Sequence, residues 1–351
     1  MRPSLASFAL ASSLTTLASS AAFASPWTLP PGTLVMAGTY NYQTARREFL
    51  DASTSQNFPL QGRYVGSAWS LGARLGVTRR FELELYLPLR VVSYESDPVI
   101  LIPRPATSNE SEFDYYQRNI VQLSRTATGI GDIFVAGRYG ILQRPFALAA
   151  ELRLKIPTGY ASPSGTFGDQ PQSAASFAAN PGLYTRPENV SDDVTLGDGQ
   201  VDAALSVLWG YSFPTRTYVR VDAGYNLRFG GAGDQFIGAL RAGQLFGDRF
   251  LVYANLQLVY TVTQGRVIGV SVAARNPDLA AGDYLLTNNL NLREVRLERD
   301  ALDVGGGFIV RLTPEVEVNV GYNRTVLGRN TAATDSVSLG IAVRTQTWTP
   351  R

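Results

Sequence analysis

The sequence predicts an all-β, transmembrane, antiparallel up-and-down barrel of about twelve strands, with long loops at one end and short turns at the other. Three observations carry this expectation. Apolar and polar residues alternate with period two in segments of ten to fourteen residues. Strands of soluble proteins usually stop at five or six, whereas about ten are needed to cross a bilayer at a tilt near 45°. The connections between segments alternate short and mostly long, as in barrels with tight periplasmic turns and long extracellular loops. Finally, no segment after the N-terminus reaches 18 apolar residues without a charge, so a spanning helix is not expected.

Composition narrows the chemistry. The chain has 351 residues, 31 basic against 29 acidic, with no cysteine and no histidine. Disulfides, thiolate nucleophiles, Cys-ligated zinc, imidazole metal sites and Ser-His-Asp catalysis are therefore excluded. Charged residues are only 17% of the chain, and a net charge of +2 gives no electrostatic case for nucleic acid. The basic residues are arginines except for Lys155, and no Ser-x-x-Lys pattern contains that lysine. Enzyme activity, metal and cofactor are not expected.

Residues 1–24 read as a secretory signal peptide. Arg2 precedes an interrupted apolar run from Leu5 to Ala22, and Ala22-Phe23-Ala24 forms an A-x-A cleavage pattern before Ser25. Residues 25–351 then form one barrel domain, with no linker or composition break. Export without a spanning helix places it in the bacterial outer membrane, or else in the periplasm or medium as a soluble β-protein. The length of the alternation favours the barrel.

The twelve segments fall at 33–42, 64–77, 81–93, 129–141, 146–158, 199–212, 217–229, 236–246, 250–262, 297–311, 316–328 and 334–345. The clearest sets Val65, Ser67, Trp69, Leu71, Ala73, Leu75 and Val77 against Tyr64, Gly66, Ala68, Ser70, Gly72, Arg74 and Gly76. The segment at 297–311 has a charged outer end, and Arg266 to Ala274 could extend strand nine or make an added hairpin. A count of ten or fourteen is thus also open. Trp69, Trp209, Tyr211, Tyr225, Tyr260 and Tyr322 fall on the outward face, where aromatic residues form interfacial girdles.

The polar face is the expected lumen. It carries Glu82, Glu84, Asp132, Glu151, Asp202, Asp222, Asp303 and Glu317 against Arg74, Arg90, Arg138, Arg153, Lys155, Arg220, Arg228, Arg241, Arg311 and Arg344. Such mixed charge points to cross-strand ion pairs rather than a ring of one sign. The groups either line a mildly cationic conduit or simply brace the barrel. Twelve strands should leave a narrow passage, or one closed by loops. In the loops, the apolar pieces Val99 to Ile102 and Tyr284 to Leu286 either fold inward as a greasy constriction or pack on one another. Glu188, Asp192, Asp193 and Asp198 read as a solvated acidic loop without calcium-binding spacing. Gly230 to Gly233 opens no helix, so it cradles no phosphate.

Several short blocks carry a family resemblance: Gly72-Ala-Arg-Leu-Gly-Val-Thr-Arg-Arg-Phe-Glu-Leu-Glu-Leu-Tyr-Leu-Pro88, Gly129-Ile-Gly-Asp132, Leu154-Lys-Ile-Pro-Thr-Gly159 and Leu196-Gly-Asp-Gly199. Their order and spacing resemble the outer-membrane barrel family named for the meta-pathway of phenol degradation, from about Gly32 to Thr345. The resemblance implies passage of small, often aromatic or hydrophobic compounds. Partners would be outer-membrane lipid, a small-molecule solute, periplasmic chaperones and the barrel-assembly machinery. The alternative is a non-conducting barrel that is structural or binds a partner. The chain departs from the usual barrel ending: its last aromatic residue, Trp348, stands three residues before the C-terminal Arg351.

Overall fold

The computed structural model describes residues 25–50, 52, 54–100, 104–143, 146–160, 162–165, 173–179, 194–274, 276–280 and 290–348. Within them twelve antiparallel strands close into a barrel. They are β1 (Thr33–Ala45), β2 (Arg63–Gly76), β3 (Phe81–Glu95), β4 (Arg125–Ile130 continuing as Ile133–Leu142), β5 (Phe146–Ile156) and β6 (Asp202–Ser212). The second half comprises β7 (Thr217–Arg228), β8 (Gln235–Phe246), β9 (Phe250–Thr261), β10 (Asp300–Arg311), β11 (Val316–Arg329) and β12 (Asp335–Gln346). Each strand pairs with its sequence neighbours, and β1 closes the ring on β12.

Pairing register settles which side chains face in. Val35, Arg74, Glu84 and Ala136 lie opposite one another across β1 to β4, and the row continues to Arg153 and Ala204 on β5 and β6. Residues one step away, such as Leu75, Leu83, Val135 and Leu205, point out. A one-residue slip would exchange the two sets completely. The outer surface is accordingly apolar: Trp69, Leu71 and Leu205 are each more than 60% exposed, with Val207, Leu339 and Tyr260 above 50%. A belt of this extent is stable against hydrocarbon and not against water. The aromatic residues expected to face outward do so. At the turn end Phe146, Tyr211 and Phe213 pack ring on ring, as do Phe246, Phe250 and Phe308.

One feature of the strands departs from expectation. The fourth strand does not run unbroken from 129. It begins at Arg125 and steps at Gly131 and Asp132, opposite Leu87 and Pro88 of β3. Pro88 has no N–H to donate, and the Gly131 N–H instead donates to the Pro88 carbonyl at 2.9 Å. The extra residue reverses the inward parity between the two halves of β4, as a bulge does. The region 267–274 forms a hairpin with 290–296 outside the barrel, so the barrel count stays at twelve.

The turn-end connections are tight. Between β6 and β7, for example, the Phe213 N–H donates to Thr217 and Arg216 takes a positive φ of 63°. At the other end the loops fold over the mouth. Strips at 47–49, 55–57 and 331–332 make a three-stranded sheet, and Val99–Ile100 pairs with Ile120–Val121. Helix α1 (Glu112–Asn119) is capped by Ser111, whose Oγ accepts from the Asp114 N–H. Val99 thus joins a buried core made with Phe58, Leu60, Tyr64, Val92 and Leu196. Residues 1–24, 101, 102, 188, 192, 193 and 284–286 lie outside the described residues.

The apolar belt yields one test. Val207→Arg, at mid-height on the outer face, should cost about 2–4 kcal/mol in lipid vesicles, read by guanidinium unfolding. An unchanged midpoint would mean that this face does not meet hydrocarbon.

The lumen as candidate functional site

The inner face of β2 to β5 holds a closed ionic cluster. Arg138 of β4 is its centre, and its guanidinium is almost fully buried. It donates to Glu82 Oε1 at 2.7 Å, Glu84 Oε2 at 3.1 Å and Glu151 Oε2 at 3.0 Å. Arg74 makes a bidentate pair with Glu82 at 2.7 and 3.0 Å, and Arg153 reaches Glu151 Oε1 at 2.9 Å. Three guanidinium groups therefore meet three carboxylates. The strands produce this directly, since Glu82 and Glu151 stand opposite Arg138, and Arg74 opposite Glu84, in register.

A second cluster lies nearer the loop end. Lys155 Nζ bridges Asp198 and Asp202, the latter at 2.6 Å, and Arg228 also contacts both carboxylates. Asp198 belongs to the connection between β5 and β6, so it is not part of a solvated acidic loop as its sequence neighbours suggested. It enters the lumen and is buried there. Its turn is tied down at three further points. Arg90 Nη1 donates to the Leu196 carbonyl at 2.6 Å, the Gly199 N–H donates to Tyr160 Oη at 3.1 Å, and Tyr160 in turn donates to Asp132. Gly197 is required here: a Cβ would fall 1.8 Å from the Tyr160 hydroxyl oxygen. Burial pushes the Asp198 carboxyl up, but the Lys155 ammonium and the Arg228 guanidinium overcome this and hold it below its ordinary value. Burial and the neighbouring Asp132 carboxylate push the Tyr160 phenol up, so it stays a neutral donor.

The opposite wall differs in kind. From β9 through β12 the inward residues include Gly305, Gly307, Asn319, Gly321, Asn323, Ser338 and Gly340, with hydrogen bonds such as Asn255 to Asn323 at 2.9 Å. Asp303 accepts from Thr325 at 2.7 Å. At the turn end Arg311 pairs with Glu317 at 3.1 Å, and Arg311 and Arg344 are exposed rather than buried. Arg220 pairs with Asp222 two residues away on β7, and Arg241 of β8 sits over the Tyr253 ring at 4.6 Å. All the charged positions read from the sequence thus belong to the inner face or its bulge, but they form clusters rather than one ring.

Sequence reasoning missed the segment before β1. Residues 26–30 cross the turn-end mouth beneath the charged wall. The Leu29 N–H donates to Glu82 Oε2 at 2.8 Å, Gln143 donates to Thr28 Oγ1 at 2.9 Å, and Trp27 packs edge-on against Tyr218. Ala147 and Ala149 are consequently sealed from solvent. The only signal was Pro-rich composition, which says nothing of direction. Beside this segment a cavity of about 380 Å³ remains open at the turn end, lined in part by Tyr218, Leu245, Leu251, Ile309, Arg311 and Glu317.

No family model and no curated protein matches this chain. Among solved structures it is similar to the COG4313 outer membrane channel from Pseudomonas putida F1. The identity is 11% and the TM-score 0.57, over 91% of this chain and 97% of that one. A TodX monoaromatic hydrocarbon channel mutant is 10% identical with TM-score 0.41, covering 91% of each chain. The KdgM porin is 5% identical with TM-score 0.42, over 87% of this chain and 98% of that one. At such identities the likeness is one of fold, and the first of the three carries it.

Two outcomes follow from the clusters. Arg138→Ala leaves three carboxylates facing one another in a dehydrated space and should cost about 3–5 kcal/mol, seen as a lowered midpoint for loss of the compact gel band on heating. The Asp198 carboxyl, held below its ordinary value of 3.8, stabilises the folded turn fully above that value and loses this contribution as pH falls through the lower folded value. Amide exchange over 194–200 should therefore stay slow at neutral pH and quicken only in strong acid. Asp198→Asn should make it fast at both.

Proposed function

We propose that this protein is an outer-membrane conduit for small molecules, with hydrophobic or aromatic compounds as the favoured class. One observation carries the reading: on β9 to β12 the lumen has a wall of small glycine, serine and asparagine residues, which carries Asp303 and, at the open turn end, Arg311, Glu317 and Arg344. Ile309, Gly307 and Asn319 remain partly accessible along this wall, and Phe58, Leu60, Tyr64 and Val92 form part of the apolar loop cap. These side chains are buried against one another, so loosening of the cap would present an apolar molecule with an environment close to hydrocarbon. The outer apolar belt supports a membrane setting, and the leader pattern at 1–24 supports export with assembly by periplasmic chaperones and the barrel-assembly machinery. The blocks at 72–88, 129–132, 154–159 and 196–199 support membership of the phenol meta-pathway barrel family.

Catalysis has little to work with. The chain lacks histidine and cysteine, and the carboxylates Glu82 and Glu84 that share the lumen are engaged by Arg74, Arg138 and Arg153. A second reading, a non-conducting barrel, is favoured by the coverings at both ends: the loop cap above and residues 26–30 below.

Single-channel recording in a planar bilayer, with phenolic solutes added to one side, separates the two. The conduit reading expects openings that the solute interrupts, and Phe58→Ala should raise open time by loosening the cap. A folded barrel that stays silent, and whose liposomes take up no labelled monoaromatic compound, would establish the non-conducting reading instead.

A further inference from the structure

The two walls meet at a cavity between β5 and β9, and its lining differs from the ionic clusters on either side. Arg153, Arg220 and Arg241 border it together with the carboxylates of Glu151 and Asp222. Arg153 and Glu151 are shared with the balanced cluster around Arg138, so Arg220 and Arg241 against Asp222 leave one positive charge. The guanidinium groups are dehydrated but reachable: the side chains of Arg153 and Arg220 are 15% and 9% exposed, against 2% for Arg138. Arg153 Nε is buried and makes no hydrogen bond. That N–H is a donor left over after Arg153 has met Glu151, and a buried donor without an acceptor is costly.

The rest of the lining is mixed, with Ser206, Asn255 and Gln257 beside apolar side chains. Leu208 and Ile237 project inward beside the guanidinium groups. Tyr253 lies under Arg241, next to the cavity rather than in its lining. A positive, partly dehydrated recess with an aliphatic side is complementary to a small carboxylate carried on an apolar body. We infer that this cavity is a binding site for small organic carboxylates, such as aromatic acids, with the guanidinium groups receiving the carboxylate and Leu208 and Ile237 the ring. Arg forks suit a carboxylate because two parallel N–H donors match its two oxygens.

As a selectivity element the site rests on the conduit reading, but binding does not. The test is calorimetric titration of the detergent-purified barrel with benzoate and, separately, with benzyl alcohol, which keeps the ring and loses the charge. Benzoate should bind at least about tenfold more tightly than the alcohol. Arg241→Gln should remove that advantage, while Arg344→Gln, at the exposed turn end, should leave it intact. If Arg241→Gln loses the compact gel band, Ala239→Phe replaces it, since filling the cavity should also abolish benzoate binding. Equal affinity for the two ligands, or full benzoate affinity in both cavity variants, overturns the site. A barrel that binds benzoate but passes no current overturns the conduit reading alone.

Discussion

The barrel is organised around one buried cation. Arg138 reaches carboxylates on both neighbouring strands, and through Glu82 it is joined to Arg74 on β2 and to the backbone of Leu29. Removing such charges from water costs several kcal/mol apiece, and only good geometry with every partner in place offsets it. The same cost enforces register. Sliding β4 by one residue would carry the guanidinium to the apolar outer face and leave three carboxylates behind. Hydrophobic patterning on the outside and charge pairing on the inside thus specify the same alignment by separate physics.

That agreement explains why the wall was legible in the sequence. Trp69, Leu71 and Leu205 on one face and Arg138, Glu82 and Glu151 on the other obey a period of two that survives without any knowledge of pairing. The bulge at Gly131 and Asp132 did not announce itself, because it answers to Pro88 on another strand. Asp198 was misplaced for a related reason: its partners Lys155 and Arg228 lie 43 residues before it and 30 after it in sequence. A run of acidic neighbours reads as solvated until the cations that meet it are known. The loops over the mouth and residues 26–30 obey no period, so patterning could list their apolar residues but not aim them.

The lumen that results is divided rather than uniform. Strands β2 to β7 present paired charges that resist both hydration and displacement, whereas β9 to β12 present mainly glycines, serines and asparagines above the Arg311–Glu317 pair of the turn end. The division follows from side-chain size as much as from charge. Small residues on this second wall leave space that the long arginine and glutamate side chains consume on the first, so any passage lies off the barrel axis. Loop turns such as that of Leu196 to Gly199 then act on the charged side, by direct salt bridges, and leave the other side to the apolar cap.

The path of residues 26–30 bears on how the ring is closed. Gly32 is wedged against the last residues of the described chain: its carbonyl accepts from the Thr347 N–H at 2.7 Å, and a Cβ there would lie 2.1 Å from the Trp348 carbonyl oxygen. First and last strands zip together at the point where the leading segment turns into the lumen. That segment is itself tied to the charged wall by the Leu29 N–H, which donates to Glu82. The seam of the ring and the covering of its turn-end mouth are thus one continuous stretch of backbone, from Trp27 to Gly32.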